Sequence, residues 1–220
     1  FSENEKQDLP EEVAENPADK SSLWKVMLFS FFVVPMFIAI AGVGVFSGAY
    51  WLISDAPDAL NLLDDVRHSY SNKRWQAAYH LVSMFEGPNA VEVTPEITRA
   101  LQDAFEESAS DNEMEVRQYL ALAMGCTGEA DFVIPLLEAL SNDPVENTPF
   151  LIRALGRLGD DRAAEAIATY LEDTNVTIRL ESAVALGAMG NTTVKPALTK
   201  ALNDSEPNVR WDAAIALAKL

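Results

Sequence analysis

The sequence predicts an all-α chain: a single transmembrane helix followed by an α-solenoid of about five helical hairpins. Three observations predict it. Residues 26–53 contain no charged residue and no histidine. Beyond that run, apolar residues recur with a period of 31. Each period holds two apolar stripes at helical spacing, divided by a polar turn.

Residues 1–22 come first. They carry Glu3, Glu5, Asp8, Glu11, Glu12, Glu15 and Asp19 against Lys6 and Lys20, with Pro10 and Pro17 interrupting. So few apolar groups cannot offset the entropy of ordering, which predicts an acidic flexible tail.

The transmembrane helix is predicted over residues 23–54. The 28 uncharged residues from 26 to 53 would reach about 42 Å as a helix, against roughly 30 Å of bilayer hydrocarbon. Trp24 stands at one end and Tyr50 and Trp51 at the other, suited to the two interfaces. The run is too long, and the segment before it too acidic, for a cleaved signal peptide. Pro35 predicts a bend. Gly44 and Gly48 form a small-xxx-small spacing that lets another membrane helix approach. Lys20 and Lys25 lie just before the span, whereas the first basic residue after it is Arg67. That bias puts the N-terminus inside and the solenoid outside.

Charge narrows the partners. Sixteen basic residues stand against 34 acidic ones, a net charge of −18. Such a chain does not neutralise phosphates, so nucleic acid is excluded as a partner, as is docking of its surface on anionic lipid. Cys126 is the only cysteine, so no intrachain disulfide forms.

The solenoid is predicted over residues 57–220. Leu140, Leu171 and Leu202 are 31 apart, as are Leu155, Leu186 and Leu217. Gly156 and Gly187 hold one register, with Ala218 at the third place; Gly159 and Gly190 hold another. In the last unit, Val194, Leu198, Ala201 and Leu202 share one helical face and Val209, Ala213, Leu217 and Leu220 another, with a polar turn between. Hairpins are predicted over roughly 57–86, 94–128, 131–159, 161–190 and 192–220. One hairpin cannot bury both apolar faces, so neighbours must stack.

The unit that runs from Val209 and Arg210 through Ala213, Ala214, Ala216 and Leu217, matched by Ile178 and Arg179 through Gly187 and Gly190, resembles HEAT repeats. The likeness is to the short bacterial form also called phycobilisome-lyase-like. It covers about residues 57–220. The resemblance implies an α-solenoid that binds other proteins, and not lyase activity.

The arginine that opens the second helix of a unit recurs as Arg117, Arg179 and Arg210, while the third unit has Thr148 there. Pairing with acidic residues in neighbouring turns, Asp173 and Asp204, would tie repeats together. The second unit carries an acidic insertion over residues 106–113. Its Glu106, Glu107, Asp111 and Glu113, with Trp75 and Trp211, are the candidate partner-binding residues. The tryptophans are read first as packing between repeats.

No residues with a pattern for catalysis emerge. His68 and His80 and the lone Cys126 lack partners of the kind a nucleophile needs. The carboxylates of 106–115 lack the spacing of a calcium loop. The expectation is a non-enzymatic, single-pass membrane protein of a bacterial inner membrane, with no cofactor, no metal and no small-molecule substrate. It would serve as scaffold or accessory subunit of a larger membrane complex, with other subunits and the lipid bilayer as partners. The competing expectations are a tethered adaptor that recruits a soluble partner transiently and a bilin-lyase type of enzyme subunit.

Overall fold

The computed structural model describes residues 24–53, 58–110 and 113–220, with side chains in the first helix described through Ser47. The expected acidic tail, Asp111, the side chains of Tyr50 and Trp51, and the surroundings of Gly48 lie outside what the structure describes. The chain divides into two units, Phe1–Ala56 and Pro57–Leu220.

The first unit holds one long apolar helix. Residues 24–28 are α-helical, Phe29–Val33 form a π-helical turn, and α1 follows over Val34–Ile53. At the π turn the Val34 N–H reaches Phe29 O, one residue farther than in an α-helix. Pro35 stands next, with no N–H to continue the ladder. The stretch Trp24–Ser47 is long and apolar enough to cross a membrane, and none of it is buried.

The second unit is a stack of five helical hairpins among the described residues. They are α2 (Ala59–His68) with α3 (Ser71–Phe85), and α4 (Pro95–Glu107) with α5 (Met114–Thr127). Then come α6 (Val133–Asn142) with α7 (Thr148–Leu158), α8 (Ala164–Thr169) with α9 (Val176–Met189), and α10 (Lys195–Ala201) with α11 (Pro207–Lys219). The second helices, α3, α5, α7, α9 and α11, pack side by side in chain order; the first helices flank that row. A single core runs through the stack, with Leu81, Leu101, Leu120, Leu136, Leu155 and Leu186 fully buried. Each such leucine contributes about 1.5–3 kcal/mol.

Local chemistry sets the ends. Asp58, Thr94 and Asn175 cap the N-termini of α2, α4 and α9 through side-chain oxygens. Gly128, Gly159 and Gly190, 31 apart, close α5, α7 and α9 with φ of 74°, 66° and 72°, a left-handed conformation that costs other residues a steric penalty.

A second glycine series sets how closely the hairpins stack. A Cβ at Gly125 would sit 2.6 Å from Ala154 Cα, one at Gly156 would sit 2.5 Å from Ala185 Cβ, and one at Gly187 would sit 2.7 Å from Ala216 Cβ. The helices α5, α7 and α9 therefore each rest a glycine directly on an alanine of the next second helix, and a methyl group has no room between them.

One sequence expectation needs correction. The segment 106–113 is not wholly a loop between helices. The helix α4 continues through Glu107 because Leu101, Ala104 and Phe105 extend its buried stripe, and a short 3₁₀ turn, Ser108–Ser110, follows.

Candidate interaction surface

The repeat arginines point into the joints between hairpins. Arg117 and Arg179 are each 8% exposed. Arg179 donates from Nε and Nη2 to the two carboxylate oxygens of Asp204 at 2.8 and 2.9 Å. Its Nη1 donates to the backbone carbonyls of Asp173 and Thr174. The guanidinium thus holds the turn of its own hairpin with one nitrogen and the turn of the next with the other two. Such a planar fork suits a bidentate carboxylate. The arginine holds the Asp204 carboxyl below the usual carboxylate range.

Arg117 repeats this arrangement two joints earlier. Its Nε and Nη2 bind Asp143, and its Nη1 donates to Phe105 O and Ser108 Oγ. The guanidinium carbon also lies 4.1 Å from the centroid of the Phe105 ring. Asn147 completes the shell, its Nδ2 donating to Asp143 at 3.1 Å. A strict 31-residue step back from Asp173 reaches Asn142, so Asp143 escapes the sequence pattern by one residue; the wider linker of the third hairpin supplies the shift. Arg210 donates to Asp204 O and Ser205 O in the same inner manner. Asp173 is brought to Arg179 only through its carbonyl; its carboxylate accepts the Asn175 N–H. With Thr148 at the arginine place, no arginine of α7 at that register reaches Asp173. The joint is instead linked by Arg153, bidentate on Glu181, and by Tyr170 Oη donating to Leu140 O at 2.9 Å.

The second helices also present an outer face along the stack. At one register it carries Leu122, Arg153, Val184 and Ile215, each 31 residues after the last. Val184 is 53% exposed and Ile215 40%. Two adjacent grooves flank Val184. One, of about 240 Å³, runs over Gly156 between Arg153, Arg157, Glu181 and Ala188. The other, of about 210 Å³, runs over Gly187 between Asp212, Ile215 and Lys219. Burial and the neighbouring Glu181 carboxylate push the Asp212 carboxyl above its ordinary value. Toward the first hairpins the same face carries Tyr79 edge-on to Tyr119, with ring centroids 5.5 Å apart.

Arg157 joins three hairpins. Its Nη2 donates to Glu86 at 2.8 Å, at the end of α3, and its Nη1 to Cys126 Sγ at 2.6 Å, on α5. Burial pushes the Cys126 thiol up despite the arginine. The thiolate, the nucleophilic form, is correspondingly scarce.

The residues expected to bind partners are scattered. Trp211 is 69% exposed and Trp75 38%, so neither is packed away between repeats. Glu107 is occupied by an ion pair with Arg67, and Glu113 lies 3.7 Å from Arg74. Glu106 accepts a hydrogen bond from Gln102. These positions fall on different hairpins and form no single site among the described residues. The groove residues Val184, Asp212 and Ile215 were not singled out by sequence. Val184 and Ile215 share a 31-residue register with the buried Leu122 and the charged Arg153, so the register by itself gives no sign of their exposure.

Residues 150–219 match the protein family described as HEAT repeats. No curated protein matches the chain. Among solved structures, the crystal structure of an engineered protein is similar, with 21% identity and a TM-score of 0.56. The match covers 74% of this chain and 78% of that one. At that identity the likeness concerns the fold, a helical-hairpin stack. The fold and the matched repeats together define the class: an all-α repeat scaffold of the kind that binds proteins.

Proposed function

We propose that the chain is a non-catalytic, membrane-anchored scaffold, an accessory subunit of a larger membrane protein complex. The apolar helix is its anchor in a bacterial inner membrane, with the N-terminus inside and the hairpin stack outside. The observation that carries this reading is the exposure of that helix. Phe31, Phe32 and Phe46 are more than 70% exposed and Ile38 is 67% exposed. Each such side chain gains about 1.5–3 kcal/mol on leaving water, and a bilayer or neighbouring membrane helices would supply the apolar surroundings. The length of Trp24–Ser47 and the acidic residues before it favour a retained anchor over a cleaved signal. Lys20 and Lys25 favour the orientation.

The span would pack on other helices through Gly44, where an added Cβ meets nothing within 4 Å in the isolated helix. The hairpin stack would engage further subunits by shape and charge. A mild-detergent pull-down of the intact protein, followed by a salt wash and mass spectrometry, tests this. A stoichiometric set of membrane subunits is expected, and Gly44→Leu is expected to deplete it. Recovery of only a salt-labile soluble partner, or of nothing, would refute the subunit reading and favour the tethered adaptor.

A further inference from the structure

Several features of the hairpin stack are absorbed by its own architecture. The Cys126 and Arg157 contact is a link between hairpins. The face beside Val184 carries Arg153, Arg157 and Lys219 as well as Asp212, so its charge selects no partner. The groove between α4 and α6 is different. These two first helices make no packed interface with one another, and the gap between them is an open groove of about 560 Å³. The buried Phe105 and Ala139 underlie it. Glu106 stands on its α4 wall, and Ile134, Pro135 and Glu138 stand on its α6 wall.

We infer that this groove takes a basic segment of a partner protein, with a lysine or arginine side chain entering between Glu106 and Glu138. This inference deepens the scaffold reading and rests on it. Four carboxylates line the groove, Glu106, Asp131, Glu138 and Asp143, against one cation, Arg117. Arg117 and Asp143 satisfy one another in a mostly buried pair. The other three carboxylates belong to exposed residues. Those of Asp131 and Glu138 make no hydrogen bond or ion pair among the described residues, and that of Glu106 has only the neutral Gln102. Arg162 of the next hairpin acts on Asp131 across space but is forked onto Asp160. The adjoining hollow adds Arg99 and Glu129, whose charges cancel.

The same groove recurs two joints on and shows what is missing. There Arg179 and Asp204 take the places of Arg117 and Asp143, and a hollow of about 370 Å³ is lined by Glu172 and Lys200. Lys200 Nζ donates to Glu172 at 2.6 Å, so the chain supplies its own cation. Glu138 stands 62 residues, two periods, before Lys200. At that register α6 carries a carboxylate where α10 carries an ammonium. A partner's cation would do for Glu106 and Glu138 what Lys200 does for Glu172. The carboxylates are not gathered as metal ligands among the described residues, so the cation that suits them is one carried on a side chain. Ile134 is 47% exposed and lies one turn from Glu138 on the same face of α6. A lysine stem laid on Ile134 therefore brings its ammonium to Glu138, burying the methylenes and keeping the charge at the edge. A second copy of this chain would bring −18 to this acid; a basic segment is complementary.

The test uses the full chain in nanodiscs of zwitterionic lipid, with empty nanodiscs as blank. The probe is a fluorescent peptide of about 12 residues built from lysine, leucine and serine. Saturable binding is expected, weakened about tenfold by Glu106→Gln combined with Glu138→Gln. Glu138→Lys, which gives α6 the cation of α10, is expected to abolish it. Glu115→Gln combined with Glu165→Gln removes the same charge from exposed places outside the groove and is expected to change binding by less than about twofold. Equal weakening by the two glutamine pairs would show attraction to net charge alone and overturn the inference. So would absent saturation, or equal binding of a probe with glutamate in place of lysine. Self-association of the chain that the probe reverses would assign the groove to a second copy and overturn it too. Glutamine keeps the size of glutamate, so circular dichroism of the paired variants should match that of the parent. If membrane subunits are still captured while the probe fails, the scaffold reading stands and this docking groove does not. If the probe binds and no complex is captured, the reverse holds.

Discussion

Adding one methyl group at Gly156 should push two hairpins apart. The new Cβ would lie 2.5 Å from Ala185 Cβ and 2.8 Å from Ala185 Cα. Carbon atoms in optimal contact are about 3.5–4.0 Å apart, so α7 and α9 must separate by about 1 Å or bend. Overpacking of this kind costs about 1–3 kcal/mol. Alanine recovers about 0.8–1 kcal/mol through its better helix propensity. The net expectation is a loss of about 0–2 kcal/mol, read as a lower urea midpoint for the intact chain by circular dichroism. The companion change Ala185→Gly removes the opposing methyl. Combined, Gly156→Ala and Ala185→Gly should cost less than the sum of the two alone, with a coupling of about 1–2 kcal/mol. A stabilised Gly156→Ala single variant, or strictly additive costs, would refute the idea that this glycine is needed for close stacking.

Further expectations follow from the joints and caps. Arg179→Met strands Asp204 in a mostly buried turn and should cost about 1.5–3 kcal/mol in urea unfolding. Gly159→Ala, at φ 66°, should cost about 1 kcal/mol by forcing a left-handed alanine. Glu86→Ala removes an exposed pair with Arg157 and should change stability by less than about 1 kcal/mol. Acid should weaken the stack in a defined way. Because Arg179 lowers the Asp204 carboxyl in the folded chain, the pair contributes fully above the ordinary value of 3.8 and is lost as pH falls through the lowered one. Asp204→Asn should flatten that part of the stability profile, and an unchanged acid limb would contradict the pairing.

Much of the hairpin stack was legible because stacking imposes a period. Leucines, glycines and arginines recur where each hairpin meets the next, and a 31-residue step finds them. What escaped was whatever depends on a step that is not 31. Asp143 serves Arg117 from a linker one residue out of register. Glu107 is helical because Phe105, which is fully buried, keeps α4 going, a tertiary cause that a run of acidic residues conceals. Arg157 meets Glu86 across 71 residues of sequence, a contact made by the way three hairpins converge and by no local pattern. Trp211 resembles the aromatic anchors of cores in composition alone, yet it is 69% exposed.

The glycine on α5, α7 and α9 and the alanine that receives it act as an asymmetric coupler. One side of a hairpin offers the gap and the other offers the methyl, so hairpins can join in only one direction. Because the coupler is nearly the same at three successive joints, it makes the hairpins interchangeable parts. Excision of residues 160–190, one full period, would bring Gly156 opposite Ala216 with both halves of the fitting intact. The chain could therefore shorten or lengthen by whole hairpins, shifting the distance between its two ends in fixed increments, without a new interface having to be invented.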